Sequence, residues 1–286
     1  TYPHSSCPIE KKATRSCTLR YMGNAEFDDL QDFHCERLMF NGDEKDVFWK
    51  GSGPGVILLT EIPGITPEVA DFGRRIATAG FTVAMPNLFG EPGRPYSNAY
   101  ALKSMVRACI SKEFITFATG KSSPVTIWIQ HLIKVIAEKC DGKGVGVIGM
   151  CLTGGFALSL AVNPLVKVPV LSQPSLPLPI GAKRRMDVGL SQQELAVVRE
   201  RVDNENLCVI GLRFSEDKFS PSERFKTLEE TLGDGFLGVE IDSSKSNLHG
   251  INQTAHSVLT TDFSDSTGHP TLEAYETIIE HFKARL

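Results

Sequence analysis

Alternation is the feature that most constrains this chain. Short continuous apolar runs, bounded by glycine or proline, recur at Val56–Leu59, Phe81–Met85, Val145–Ile148, Val168–Leu171, Leu207–Leu212 and Phe236–Ile241. Longer stretches with helical spacing lie between them. Pro67–Ala79 carries Val69, Phe72, Ile76 and Ala77, and Pro124–Cys140 carries Val125, Trp128, Ile129, Leu132, Ile133 and Ile136. Phe156–Val162, Ser191–Val202, Pro221–Leu232 and Leu272–Leu286 complete the set. Strand and helix alternating at these lengths predict an α/β fold, a mostly parallel central sheet with helices on both faces.

Several boundaries have a physical cause. Pro67, Pro124 and Pro221 stand where a first helical turn tolerates a missing N–H. Gly80 is placed to end the helix that Pro67 begins, and Ser191 with Glu194 reads as a capping box. Glu36–Phe40 and Asp46–Lys50, parted by Asn41-Gly42, read as a hairpin feeding the sheet. Residues 1–35 are expected to form an irregular N-terminal extension and residues 36–286 a single domain.

Composition narrows the function classes. A chain of 286 residues that is 41% hydrophobic buries enough surface to fold without metal or disulfide staples. With 30 Lys+Arg against 34 Asp+Glu it lacks the basic excess that a nucleic-acid partner requires. No apolar stretch nears the ~20 residues of a membrane-spanning helix, and the opening TYPHSSCPIEKK has no apolar core of the kind a secretory signal carries. Seven cysteines cannot all pair within one chain, and none forms a CxxC or a zinc-binding spacing. A reducing, cytoplasmic setting is therefore expected, with most thiols acting as small buried hydrophobes.

Gly144-Val-Gly146-Val-Ile-Gly149 matches the dinucleotide fingerprint GxGxxG. That motif works only when the glycines form the turn after a strand, where backbone N–H groups meet a pyrophosphate. Here the glycines precede and run through the apolar strand, and Val168-Pro-Val-Leu171, about 20 residues on, supplies no acid for a ribose. The match is set aside.

Read a few residues later, the same segment is more informative. An apolar strand ends at Gly149, Cys151 follows, and Leu152-Thr-Gly-Gly155 leads into a helix. In α/β-hydrolases the nucleophile sits on such a strand-to-helix turn, G-x-Nu-x-G, whose tightness demands small neighbours. Thr153 departs from the second glycine, and Gly154 and Gly155 supply close approach one step later. A thiol at a helix N-terminus is favoured as thiolate, and the N–H of Leu152 would face a developing oxyanion. The competing reading is a buried cysteine closing a core strand.

Partners follow in the order this fold uses, nucleophile, acid, histidine. Past the Leu207–Leu212 run lies Ser215-Glu-Asp-Lys-Phe-Ser-Pro221, with Asp217 as candidate acid and Glu216 as its rival. Past Phe236–Ile241 lie His256, in Ala-His-Ser-Val, and the runner-up His249. His4, His34, His131, His269 and His281 do not meet the order. Glu61 ends the run Val56-Ile-Leu-Leu-Thr, awkward for a carboxylate unless it faces a cleft, and the following Ile62 N–H is a second candidate oxyanion donor.

With these residues assembled, the chain resembles the dienelactone hydrolase family. The resemblance rests on Thr-Glu61-Ile-Pro-Gly, Ile-Gly-Met-Cys151-Leu-Thr-Gly-Gly, Phe-Ser-Glu-Asp217-Lys-Phe-Ser-Pro and Ala-His256-Ser-Val, and runs from about Glu36 to the C-terminus. It implies an α/β-hydrolase fold and a Cys151–His256–Asp217 triad that needs no metal or organic cofactor. It also implies that Glu61 interacts with the resting thiol. The family's type reaction opens an unsaturated butenolide, dienelactone, to maleylacetate. The implied partner is thus a small lactone or ester, bound by a monomer or homodimer.

A substrate carboxylate would call for an arginine near the cleft, and Arg213, Arg184 and Arg185 are candidates by position. The loop Gln173–Ile180 is expected to shape a wall or lid, and Phe89–Gly120 to cover the pocket from the other side. Two rivals stay open. One is the same chemistry on another ester or thioester; the other is a non-catalytic homologue in which Cys151 senses redox state or lies in a ligand site.

Overall fold

The structure, a computed structural model, describes residues 27–110 and 124–286. Its sheet has eight strands: β1 (His34–Phe40), β2 (Asp43–Lys50), β3 (Gly55–Leu59), β4 (Thr82–Pro86), β5 (Val145–Met150), β6 (Val166–Ser172), β7 (Val209–Phe214) and β8 (Phe236–Ile241). They lie in the order β1-β2-β4-β3-β5-β6-β7-β8. The β1–β2 and β2–β4 pairs are antiparallel and all the others are parallel. The fully buried runs of β3 and β5 are the mark of strands covered on both faces. This is the α/β-hydrolase fold.

The described helices are α1 (Pro67–Thr78), α2 (Asn98–Ile110), α3 (Pro124–Lys139), α4 (Gly154–Leu160), α5 (Ala182–Met186), α6 (Gln192–Glu205), α7 (Ser222–Leu232) and α8 (Pro270–Arg285). On one side of the sheet, Trp128, Leu132 and Ile136 of α3 pack with Ile57, Val147 and Phe156. On the other, Phe72 and Ile76 of α1 and Ile278 and Phe282 of α8 pack with Leu58, Ile148 and Val170. Alternate residues of β3 and β5 thus feed opposite cores, as the two-residue strand period requires.

Local signals behave as their chemistry predicts. Pro67 opens α1 behind the Thr66 cap, Gly80 follows the helix at φ 99°, and Ser191 and Glu194 close a capping box on α6. Asn41 (φ 53°) and Gly42 (φ 81°) make the left-handed pair of a tight hairpin turn. Pro221 is the cap of α7 rather than its first helical residue.

The N-terminal boundary moves. Leu30 and Phe33 are buried in the core beside Phe48 and Phe72, and Arg74 of α1 ties Asp28 and Asp32 to the domain. The packed unit therefore includes residues ahead of Glu36. The rest of the expected extension, residues 1–26, lies outside the described residues, as do residues 111–120 of the expected pocket cover.

Candidate active site

Parallel pairing brings the C-terminal ends of five strands to one edge. Leu59 pairs with Gly149, Met150 with Ser172, Ser172 with Leu212, and Phe214 with Ile241. The residues just past those ends therefore gather where ligands bind in open α/β sheets: Glu61 after β3, Cys151 after β5, Gln173 after β6 and Asp217 after β7.

Cys151 sits in the left-handed region at φ 54°, at the start of a 3-10 turn, Cys151–Thr153, that runs into α4. For a residue with a Cβ this conformation is strained and persists only when its surroundings enforce it. They do. A Cβ on Gly149 would lie 2.2 Å from the Thr153 carbonyl oxygen, and one on Gly154 would lie 2.7 Å from Pro174 Cα. Thr153 itself, fully buried, accepts a hydrogen bond from the Met150 N–H at 2.8 Å, and its Oγ1 lies 2.9 Å from the Leu59 carbonyl. The threonine that departs from the usual glycine thus bolts the elbow to the end of β3. The Ser175 N–H donates to the Cys151 carbonyl at 2.9 Å and closes the turn from the β6 side.

His256 presents Nδ1 to Asp217 Oδ2 at 2.7 Å. The acid is itself fixed, because its other oxygen accepts the Phe219 N–H at 2.9 Å. The histidine loop is held by Asp262, which accepts the N–H groups of both His256 and Ser257 at 2.9 Å. Burial works against an imidazolium here. The hydrogen bonds and charges of Cys151 and Asp217 outweigh it, so the pKa of His256 stands well above the ordinary 6.5. His249, by contrast, is exposed and packs on His269, while Glu216 faces solvent. Asp217 and His256 are the pair the fold brings together.

Glu61 is buried among donors. Ser257 Oγ reaches its Oε2 at 2.8 Å, Gln173 Nε2 reaches the same oxygen at 3.0 Å, and Thr260 donates to Oε1. Burial pushes its pKa upward, against the hydrogen bonds of Thr260, Ser257 and Gln173 and the attraction of His256. The hydrogen bonds to this carboxylate come from these three side chains, where the resemblance implied a contact with the thiol. Among the described residues, neither the Leu152 nor the Ile62 N–H is spent on a carbonyl in the turns and loops.

The candidate arginines need correction. Arg213 is buried, with its guanidinium given to Glu240 and to the carbonyls of Ser220 and Ser215. Arg185 forms a two-pronged ion pair with Glu223 at 2.7 and 2.9 Å. A strand-end position does not make a side chain face the cleft, and both cations are committed to structure. Arg184 is exposed on α5. Sequence reasoning missed Arg224 of α7, whose buried guanidinium donates to the carbonyls of Pro174, Pro177, Arg184 and Asp187 and so pins the segment beside the elbow. It missed Gln173, Ser257 and Thr260 as well.

The dienelactone hydrolase family model matches residues 45–286. The chain belongs to the dienelactone hydrolase family. A relative described as a "putative carboxymethylenebutenolidase" of Saccharomyces cerevisiae is 30% identical over 124 residues, 40% of either chain. The match thus spans less than half of that relative. Among solved structures, a "putative dienelactone hydrolase" of Klebsiella pneumoniae has a TM-score of 0.59 at 16% identity, covering 88% of this chain and 98% of that one. A dienelactone hydrolase-like promiscuous phosphotriesterase from metagenomic libraries has a TM-score of 0.56 at 15% identity, covering 88% and 97%. At these identities the solved structures speak for the fold. Family membership fits the strand-end assembly above. Among the described residues, no group of three or more His, Cys, Asp or Glu could hold a metal ion, and no helix is long and apolar enough to cross a membrane.

Proposed function

We propose that this protein is a cysteine-dependent carboxylic ester hydrolase acting on a small lactone or ester, of the dienelactone-opening type. One observation carries the reading. The strained elbow residue is a cysteine whose charge raises the pKa of a histidine, and that histidine's Nδ1 lies 2.7 Å from a buried aspartate. A left-handed cysteine costs on the order of 1–3 kcal/mol, a cost that suits a nucleophile more than a core thiol.

The Cys151 thiolate attacks the carbonyl carbon, forming the C–S bond and moving the carbonyl electron pair onto oxygen. The N–H groups of Leu152 and Ile62 hold that oxyanion. Collapse breaks the ring C–O bond and expels an enolate or alkoxide, still tethered in a lactone, which takes up the His256 imidazolium proton; an acyl-thioester and a neutral imidazole remain. His256 takes a proton from water, the hydroxide adds to the thioester, and the sulfur departs as thiolate. Asp217 holds the imidazole in one tautomer and favours its charged form. An enolate needs little help from an acid to leave, which suits a cysteine. A reducing, cytoplasmic setting, where thiols stay unoxidised, suits such a nucleophile.

Hydrolysis of dienelactone, measured beside a simple activated aryl ester with wild type and Cys151→Ala, tests the proposal. Turnover that favours the lactone and is lost in Cys151→Ala is the expected result. Cys151-dependent turnover of the aryl ester alone would keep the mechanism and replace the substrate. Turnover that survives in Cys151→Ala would remove the cysteine from the mechanism.

A further inference from the structure

Gln173 is a strained, wholly buried polar residue that the mechanism above does not use. It follows β6 directly, has no exposed surface, and holds φ at 35°, in the region where a side chain is rarely tolerated. Each of its polar groups is engaged. Its N–H donates to the Leu212 carbonyl at 2.7 Å, and its carbonyl accepts from Ser175 Oγ at 3.1 Å. Ser172 Oγ donates to the side-chain Oε1. That last bond fixes which way the amide faces, so Nε2 is turned to Glu61 Oε2 at 3.0 Å.

The strain therefore has one visible result, a donor aimed at Glu61. Glu61 in turn touches the histidine loop through Ser257 Oγ, one residue from His256, and attracts the His256 imidazolium. We infer that Gln173 is a positioning residue of the hydrolytic site, acting through Glu61 on the charge that surrounds His256. The inference rests on the reading of Cys151, His256 and Asp217 as a hydrolytic triad.

The physics gives a direction. A hydrogen bond donated to a carboxylate favours its ionised form, so removing the donor makes Glu61 hold its proton to higher pH. With less negative charge beside it, the imidazolium of His256 is less favoured. Gln173→Met keeps length and burial and deletes the donor; Gln173→Asn keeps the amide and shortens its reach.

The test uses wild type, Gln173→Met, Glu61→Gln and the double variant, each checked for folding by thermal unfolding. The first readout is the infrared carbonyl band of the protonated acid that Glu61→Gln deletes, followed against pH. Its midpoint should move up in Gln173→Met; an unchanged midpoint overturns the inference. The second is kcat/KM on an activated aryl ester. Gln173→Met should lose about 3- to 30-fold in the wild-type background and less than about twofold beside Glu61→Gln, as expected for a residue coupled to one neighbour. Equal losses in both backgrounds would make Gln173 a merely structural residue. So would a failure of both Gln173→Met and Gln173→Asn to fold. Cys151→Ala, run alongside, keeps the two questions separate: if it retains turnover, the triad reading falls, while the infrared midpoint still decides whether Gln173 acts on Glu61.

Discussion

His256 Nδ1 lies 2.7 Å from Asp217 Oδ2, and each residue is fastened from outside the pair. Phe219 N–H holds the free oxygen of Asp217, and Asp262 holds the His256 N–H, each at 2.9 Å. The contact is thus set by two loops that follow different strands, β7 and β8. Asp217→Asn should keep the fold and lose about 10²- to 10⁴-fold in kcat, because an amide neither fixes the imidazole tautomer nor stabilises its charge. Steady-state kinetics on an activated ester, with the folded spectrum as control, checks this. A loss below about threefold would show that the acid is not part of the machinery.

Stability should fall as pH rises, through two groups whose folded pKa values are raised. Above its ordinary 4.5, Glu61 keeps a proton in the folded state that the unfolded chain has released, so the folded state loses ground as pH climbs. His256 adds stability that is fully present below about 6.5 and is lost as pH rises through its higher folded value. Glu61→Gln removes the first contribution. The variant should melt above wild type near neutral pH, with the two curves converging below about pH 4. Melting temperatures across that range decide it, and a variant less stable than wild type at neutral pH would contradict the argument.

Thr153 gives a prediction that a glycine at this position would not. Thr153→Val keeps the shape and strips the hydroxyl that accepts the buried Met150 N–H at 2.8 Å. The orphaned amide should cost about 1–3 kcal/mol in denaturant unfolding. Because the loss falls on the residue before Cys151, kcat should drop as well. Normal turnover with reduced stability would show that the elbow holds its geometry without the bolt.

Much of the frame was legible because its signals are local. Continuous apolar runs placed the parallel strands to within two residues at most ends, and Phe236–Ile241 is the observed β8 without change. Chain order together with strand ends was enough to choose Cys151, Asp217, His256 and Glu61, since the parallel sheet turns order into proximity. The helices α2 and α5 were missed for different reasons: α5 is five residues with no buried side chain, and α2 buries Tyr100, Ser104 and Ala108 while its large apolar residues Leu102, Met105 and Val106 are exposed, so apolarity does not mark its buried face. Leu30 and Phe33 were assigned to an extension because two isolated apolar residues make no period. Arg213 misled because a strand alternates faces, and position along the chain does not say which face looks into the cleft. Gln173 did carry a signal, the same one that picked out Glu61: a polar side chain directly after an apolar run.

Arg224 supplies the last prediction. It is buried with only carbonyl oxygens as hydrogen-bond acceptors, and burial lowers its pKa to about 10. Four carbonyls spread over Pro174–Asp187 converge on one side chain of α7, so this segment is held from beneath at both ends. Near its start, Ser175 N–H closes the elbow on the Cys151 carbonyl. Arg224→Met should preserve the volume and free the segment, at a cost of about 2–4 kcal/mol, since the carbonyls lose a charged donor and part of them stay buried. The released strand of chain includes Lys183, Arg184 and Arg185, so trypsin should cut there sooner than in wild type. The Ser175 tie to Cys151 should loosen with it, raising KM for an ester more than it lowers kcat. Limited proteolysis read by mass, beside KM and kcat, separates the outcomes: unchanged cleavage at 183–185 would mean that Glu223, paired with Arg185, holds the segment without Arg224.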